Sequence, residues 1–194
     1  MNSTDFKNHI NNIRHGDAIA CITPQCSFHI LALSYGEAAK MLSKHIDEEG
    51  FYKDIAIHPI CFLFRHSLEL SFKQIVWDGR RLLGEKGKVE ELCRSHEIQS
   101  LWTEIEAIMN AVWPEQPFPD EALLLREVVA WFHGADPGSF AFRYPFDKKL
   151  QSNLTEFRHI NLSTLVEAME ISTHFLEGVA SAVSEYLSAQ QYTW

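Results

Sequence analysis

Residues 59–83 read PICFLFRHSLELSFKQIVWDGRRLL, and the rest of the chain is best interpreted around them. Pro59 suits the first position of a helix and Gly84 suits the position after its end, so we predict one helix of about six to seven turns. On a helical projection, five polar side chains share one narrow arc: Arg65, His66, Glu69, Lys73 and Arg80. Apolar residues fill most of the remaining circumference, so this helix should be buried over more than half of its surface.

The composition limits the class of protein and its partners. The chain has 194 residues, of which 46% are hydrophobic and 22% are charged, as in an ordinary globular protein. Its formal net charge of −9 disfavours broad, nonspecific binding to DNA or RNA, although a local basic pocket is compatible with it. No apolar run reaches the roughly 18 residues of a membrane span, and the N-terminal residues lack a signal core. We therefore predict a cytoplasmic protein without a membrane partner.

The cysteines give no sign of a disulfide framework or a metal site. Cys21, Cys26, Cys61 and Cys93 are sparse for a chain of this length. Cys21 and Cys26 are separated by four residues, but no second pair completes a zinc-binding pattern. We predict no bound metal and no cofactor.

Four further helices are predicted around the central one. The first covers residues 27–49, and Gly36 within it indicates close approach of a neighbouring helix. A charged loop over residues 84–92 follows the central helix, and Ser95 is then predicted as the N-cap of the third helix.

The prolines between residues 114 and 119 end the third helix, and a fourth is predicted over residues 120–134. Ser163 is predicted as the N-cap of the last helix, which should run to about Leu187. Only residues 139–160 have strand character, because Phe140, Phe142 and Tyr144 alternate with smaller or polar residues.

The predicted architecture is an all-α, up-and-down bundle of about five helices with a small β-hairpin at residues 139–160. Residues 1–25 are polar and are predicted to be an N-terminal extension. Residues 26–194 are predicted to form a single domain.

Three segments of this sequence resemble a branch of the HEPN superfamily (higher eukaryote and prokaryote nucleotide-binding domains). They are FLFRHSLELSFKQI in the central helix, SHEIQSLW at the next helix and DPGSFAFRYPFD in the late segment. The resemblance runs from about Ala32 to the last helix. It implies a small α-helical bundle, usually a homodimer, that binds RNA or a nucleotide. Members often act as metal-independent RNA endonucleases in toxin–antitoxin, phage-defence or stress systems, with an antitoxin as partner. Others are inactive nucleotide- or protein-binding domains.

Active members of that superfamily share an Arg followed, after four to six residues, by a His. Arg126 and His133 match this motif with six intervening residues, so the resemblance implies that they are catalytic. A His can serve as acid or base near neutral pH, and an Arg can bind a phosphate through two hydrogen bonds. Glu127 departs from the motif, because a small polar residue is expected after the Arg. The alternative is a solvated Arg126 and a His133 that favours the helix dipole.

A second group of polar residues is predicted to form a ligand-binding pocket. Spacings of four residues allow a ladder of charges along one helix face. If the neighbouring segments face that ladder, the result is a cationic pocket with a carboxylate inside, which suits a phosphate or nucleotide-like anion. The alternative is an interhelical polar network that fixes the register of the bundle. The residues concerned are Arg65, His66, Glu69, Lys73, His96, Arg143 and Tyr144.

Two functions are therefore expected from the sequence. One is a HEPN-like domain that binds RNA or a nucleotide and acts as a metal-independent endoribonuclease. The other is a non-catalytic helical scaffold that mediates dimerisation or holds a partner protein.

Overall fold

The computed structural model describes residues 27–49, 53–85, 88–155 and 159–191, and the N-terminal extension predicted for residues 1–25 lies outside them. The described residues form six helices, which confirms the all-α prediction and adds one short helix to it. No helix in these ranges combines the length and the apolarity that a membrane crossing requires. The helices are α1 (Phe28–Glu49), α2 (Lys53–Leu82), α3 (Val89–Arg94), α4 (Ile98–Val112), α5 (Asp120–Ala135) and α6 (Leu162–Gln191).

Helix α2 is the centre of the bundle. It packs against α1, α4 and α6, while α5 packs against α4 and α6. Its apolar residues Ile60, Phe64 and Phe72 are at most 1% exposed, which confirms that most of its circumference is covered. Cys61 is also fully buried, and burial raises the pKa of its thiol to about 12.

Helix α2 begins six residues earlier than predicted, so Pro59 lies inside the helix rather than at its first position. A proline there costs one intrahelical hydrogen bond, because it has no N–H for the carbonyl four residues before it. Ala56 and Ile60 are both buried on either side of Pro59. Burial of these side chains offsets the lost bond and allows the helix to begin before Pro59.

Two glycines set how closely the helices approach α2. A Cβ at Gly36 of α1 would lie 3.0 Å from the Ser67 hydroxyl, which itself donates a 2.8 Å hydrogen bond to the Ala32 carbonyl. A Cβ at Gly79 would lie 2.5 Å from the Ile108 side chain on α4. The close approach predicted for Gly36 is confirmed, and Gly79 supplies a second one.

The helix ends differ from the predicted caps in two places. Ser95 ends α3, because its N–H bonds the Glu91 and Leu92 carbonyls, and the predicted charged loop is partly helical. Ser163 is not the N-cap of α6; Asn161 accepts the Thr164 N–H through its side chain at 3.1 Å.

The β-hairpin predicted for residues 139–160 is not found in the described part of that segment, residues 139–155 and 159–160. Its backbone forms local turns: the Arg143 and Tyr144 N–H groups both bond the Phe140 carbonyl. Cross-strand pairing there is limited to one antiparallel bridge, between Phe146 and Ser152. Alternating aromatic residues suggested a strand, but the backbone N–H groups form local hydrogen bonds in turns instead of bonds to a partner strand.

Candidate functional site

The Arg65 side chain, fully buried on α2, joins three separate parts of the chain. Its Nε donates to the Asp136 carbonyl at 2.8 Å, and its Nη2 donates to the carbonyls of His96 at 2.8 Å and Pro137 at 3.2 Å. Its Nη1 donates to the Glu69 carboxylate at 3.2 Å. Burial lowers the pKa of Arg65, against the opposing effect of the Asp136 and Glu69 carboxylates. One guanidinium thus ties the connection before α4 and the start of the loop after α5 to the central helix.

Glu69 is the buried counter-charge of this cluster. Its Oε1 accepts from the Lys73 ammonium at 2.7 Å and contacts the His96 Nδ1 at 2.9 Å, while Oε2 faces Arg65. Burial alone would raise the pKa of Glu69, but the hydrogen bonds and charges of Lys73 and His96 outweigh it. The pKa is therefore below its ordinary value, and the carboxylate stays ionised at neutral pH.

Asp136 belongs to the same cluster and was not among the predicted site residues. It is 1% exposed, and its Oδ1 accepts the N–H groups of Phe140 at 2.5 Å and Ala141 at 2.8 Å. Its Oδ2 lies 3.9 Å from the Arg65 Nε. The signal that identifies it is an Asp placed before Pro-Gly at a helix end, where its side chain can order the following turn.

Two of the predicted pocket residues form the outer side of the cluster. The His96 side chain is 54% exposed although its Nδ1 reaches the buried Glu69. Arg143 is exposed, and both its Nε and its Nη2 donate to the Ser139 carbonyl. Its guanidinium lies 5.3 Å from the Phe62 ring centre and 5.5 Å from that of Tyr144.

A column of rings connects Arg143 to α1. The Phe62 ring stacks on His66 at 5.6 Å with 8° between their planes, and Tyr35 meets the His66 ring edge-on at 4.6 Å. Burial lowers the pKa of His66 and outweighs the nearby Glu69 carboxylate, which acts in the opposite direction. His66 is thus neutral at pH 7 and serves as a stacked ring beside the charged cluster.

The predicted pocket residues therefore lie in two layers. Arg65, Glu69 and Lys73 are buried and bonded to one another, and His96 joins them from the surface. Arg143 joins them through its contact with the Phe62 ring, and Tyr144 through its contact with Arg143, rather than through the Glu69 carboxylate. The cations Arg65, Lys73 and Arg143 outnumber the carboxylates Glu69 and Asp136 by one. With His96 neutral, the cluster therefore carries one net positive charge, in a chain of formal charge −9.

The predicted catalytic pair has a different environment. Arg126 donates from Nε at 2.9 Å and from Nη2 at 2.6 Å to one oxygen of Glu106, and its guanidinium lies 5.7 Å from the Phe118 ring centre. His133 is half-buried, and its buried Nδ1 has no hydrogen-bond partner within the described ranges. Arg126 is thus engaged with α4, whereas His133 retains an unused ring nitrogen.

Neither the cluster around Arg65 nor the Arg126–His133 pair has the ligands of a metal centre. Among the residues that the structure describes, no three His, Cys, Asp or Glu side chains are placed to hold one ion. Comparisons of the chain with protein-family models, curated proteins and solved structures found no match.

Proposed function

We propose that this chain is a HEPN-like helical domain that binds RNA or a nucleotide, in a prokaryotic defence or stress setting. The observation that supports binding most directly is the position of Arg65. Its buried guanidinium bonds the His96 carbonyl and the two carbonyls, of Asp136 and Pro137, that lead to Arg143. Two exposed, cation-forming side chains are thereby held by the same rigid anchor.

The exposed layer has the chemistry that a nucleotide requires. Arg143 engages Ser139 through Nε and Nη2, so its remaining N–H groups are directed to a phosphate in the proposed complex. Half-exposed Tyr144 offers a ring on which a base can stack. His96 adds a positive charge near the phosphate when it is protonated.

Binding is tested by the fluorescence anisotropy of a labelled, short single-stranded RNA, with ATP and AMP as competitors. Replacement of Arg143 (Arg143→Gln) should weaken binding at least about tenfold, because it removes a charge-assisted phosphate contact. Arg81→Gln is the matched control, since Arg81 is an exposed arginine at the far end of α2 that pairs with Asp78. Equal losses in both variants would contradict a site at Arg143.

Cleavage of RNA by Arg126 and His133 stays a prediction, which rests on the resemblance to the HEPN superfamily. It requires Arg126 to exchange the Glu106 carboxylate for a phosphate, and a two-fold homodimer would bring two such pairs together. Incubation of RNA with the protein in EDTA tests it directly. Glu106→Gln should increase cleavage, because it frees Arg126, and His133→Ala should abolish it. Cleavage that survives His133→Ala would rule out this pair.

A second candidate function is a non-catalytic scaffold for a partner protein such as an antitoxin. It is favoured by the burial of the inner layer, since Arg65, Glu69 and Lys73 are at most 3% exposed and satisfy one another. A network of that kind can fix the register of helices without touching a ligand. On this reading no variant binds RNA or nucleotide, and Arg143→Gln changes only the affinity for the partner.

A further inference from the structure

A turn at residues 146–150, here called the 146–150 turn, presents large apolar side chains to solvent. Phe146 is 52% exposed and Leu150 is 82% exposed. Lys148 and Lys149 lie between them, are exposed, and form no ion pair with any side chain that the structure describes. Large apolar side chains exposed close together mark a surface that another molecule can cover, and the two lysines between them add unpaired positive charge.

The 146–150 turn is held rigid by its own hydrogen bonds. The Asp147 carboxylate accepts the N–H groups of Lys149 at 2.7 Å and Gln151 at 2.8 Å, and the Asp147 N–H bonds the Gln151 carbonyl. Leu150 has a φ of 61°, a conformation that glycine adopts without strain. A leucine therefore stands where neither backbone geometry nor solvation favours it, which makes Leu150 a candidate for contact with another molecule.

A cleft of about 530 Å³ between α1 and α6 has the complementary character. Its apolar lining includes Leu162, Val166 and Met41, whose exposure is 71%. Among the carboxylates of its wall, Glu167 and Glu170 of α6 form no ion pair within the described part of the chain, whereas Glu37 pairs with Lys40. The lysines of the same wall, Lys40 and Lys44, pair with Glu37 and Glu48, and Asp47 pairs with Lys53. The unpaired charge of the cleft is therefore negative, beside an apolar lining.

We propose that the 146–150 turn of one copy docks into the α1–α6 cleft of a second copy, and that the exchange is reciprocal. Leu150 and Phe146 would cover Met41 and its apolar neighbours, while Lys148 and Lys149 would meet the unpaired carboxylates of α6. The formal charge of −9 disfavours an anionic membrane as the occupant of the same turn. This docking does not depend on RNA or nucleotide binding.

The two halves of the contact lie on one continuous surface. Asn153 and Leu154, just after the turn, line a second cleft of about 580 Å³ together with Leu162 and Ser163. Leu162 and Ser163 also line the α1–α6 cleft. A two-fold interface uses the same surface on both copies, so a turn and a receiving cleft side by side allow closure into a dimer.

Sedimentation velocity of the full chain over a hundredfold range of concentration tests the proposal. The wild type should form a dimer, and Leu150→Gly should raise its Kd at least about tenfold without lowering the Tm, because glycine suits that φ. Lys148→Glu with Lys149→Glu should also dissociate the dimer, and the added changes Glu167→Lys and Glu170→Lys should restore it.

Leu123→Gln on α5 is the matched control, since Leu123 is exposed but lies on the helix of Arg126 and His133. A chain that stays monomeric throughout would overturn the proposal. So would a dimer that Leu123→Gln dissociates and Leu150→Gly leaves intact, because the interface would then lie on α5. Assemblies that keep growing with concentration would overturn the reciprocal exchange.

Discussion

Arg65 and Arg126 use the same ion-pair chemistry in opposite surroundings. Each donates to a glutamate, but the side chains of Arg65 and Glu69 are 0% and 1% exposed, whereas those of Arg126 and Glu106 are 43% and 21% exposed. Arg65 also bonds three backbone carbonyls, while Arg126 bonds a single carboxylate oxygen. The difference teaches that burial, more than the ion pair itself, decides whether an arginine holds the fold or is available for exchange.

The largest effect is expected from Arg65→Met. It removes one partner of a buried pair and leaves the His96, Asp136 and Pro137 carbonyls unsatisfied, so the free energy of unfolding should fall by about 3–5 kcal/mol. Urea unfolding followed by circular dichroism measures it. If Arg65→Met lowered the free energy of unfolding no more than Arg126→Met does, burial would not be what distinguishes the two arginines.

Glu69→Gln should cost about 2–3 kcal/mol at pH 7, because hydrogen bonds to a charged group are weakened. The folded-state pKa of Glu69 is depressed, so its contribution is present above the ordinary carboxyl pKa of 4.5 and is lost as the pH falls below that value. The difference in unfolding free energy between wild type and Glu69→Gln should therefore shrink under acid. A difference that is constant from pH 7 to below 4.5 would contradict this role.

Arg80→Met sharpens the comparison with an intermediate case. Arg80 donates from Nε and Nη2 to the two oxygens of Glu104 at 2.5 and 2.8 Å, and these side chains are 20% and 30% exposed. A half-buried ion pair with two hydrogen bonds should contribute about 1–2 kcal/mol to the free energy of unfolding, between the contributions of Arg65 and Arg126. Thermal unfolding of Arg80→Met and Glu104→Gln should give similar losses if the pair is the cause.

Arg126→Met should have the smallest effect, about 0.2–1 kcal/mol, because solvent already screens the pair with Glu106. Unfolding in about 1 M salt should reduce this difference further, since the screening length then falls to about 3 Å. A loss that is independent of salt would point to packing of the Arg126 stem on Phe118 instead.

The sequence was sufficient for the parts of the fold that depend on local pattern. Apolar periodicity located α1, α5 and most of α2, and Gly36 indicated a close helix contact that Ser67 of α2 makes. The early start of α2 was missed, because the usual penalty for an internal proline does not include the burial of Ala56 and Ile60. The turns after α5 were missed because Asp136 captures the Phe140 and Ala141 N–H groups.

The candidate site was predictable only along a single helix. Spacings of four residues correctly joined Arg65, Glu69 and Lys73. The three carbonyl partners of Arg65 lie 31 to 72 residues away in sequence, and no local pattern specifies such contacts. The ring column was missed for the same reason, since Tyr35 reaches His66 from another helix.

The buried thiol of Cys61 can report how often α2 becomes exposed to solvent. Only a thiolate reacts with alkylating agents, and a thiol whose pKa is about 12 forms almost none while the helix is packed. Alkylation of Cys61 therefore proceeds through the transient openings that expose it. Its rate relative to exposed Cys93 yields the population of the open state, and thus how often the central helix leaves the bundle.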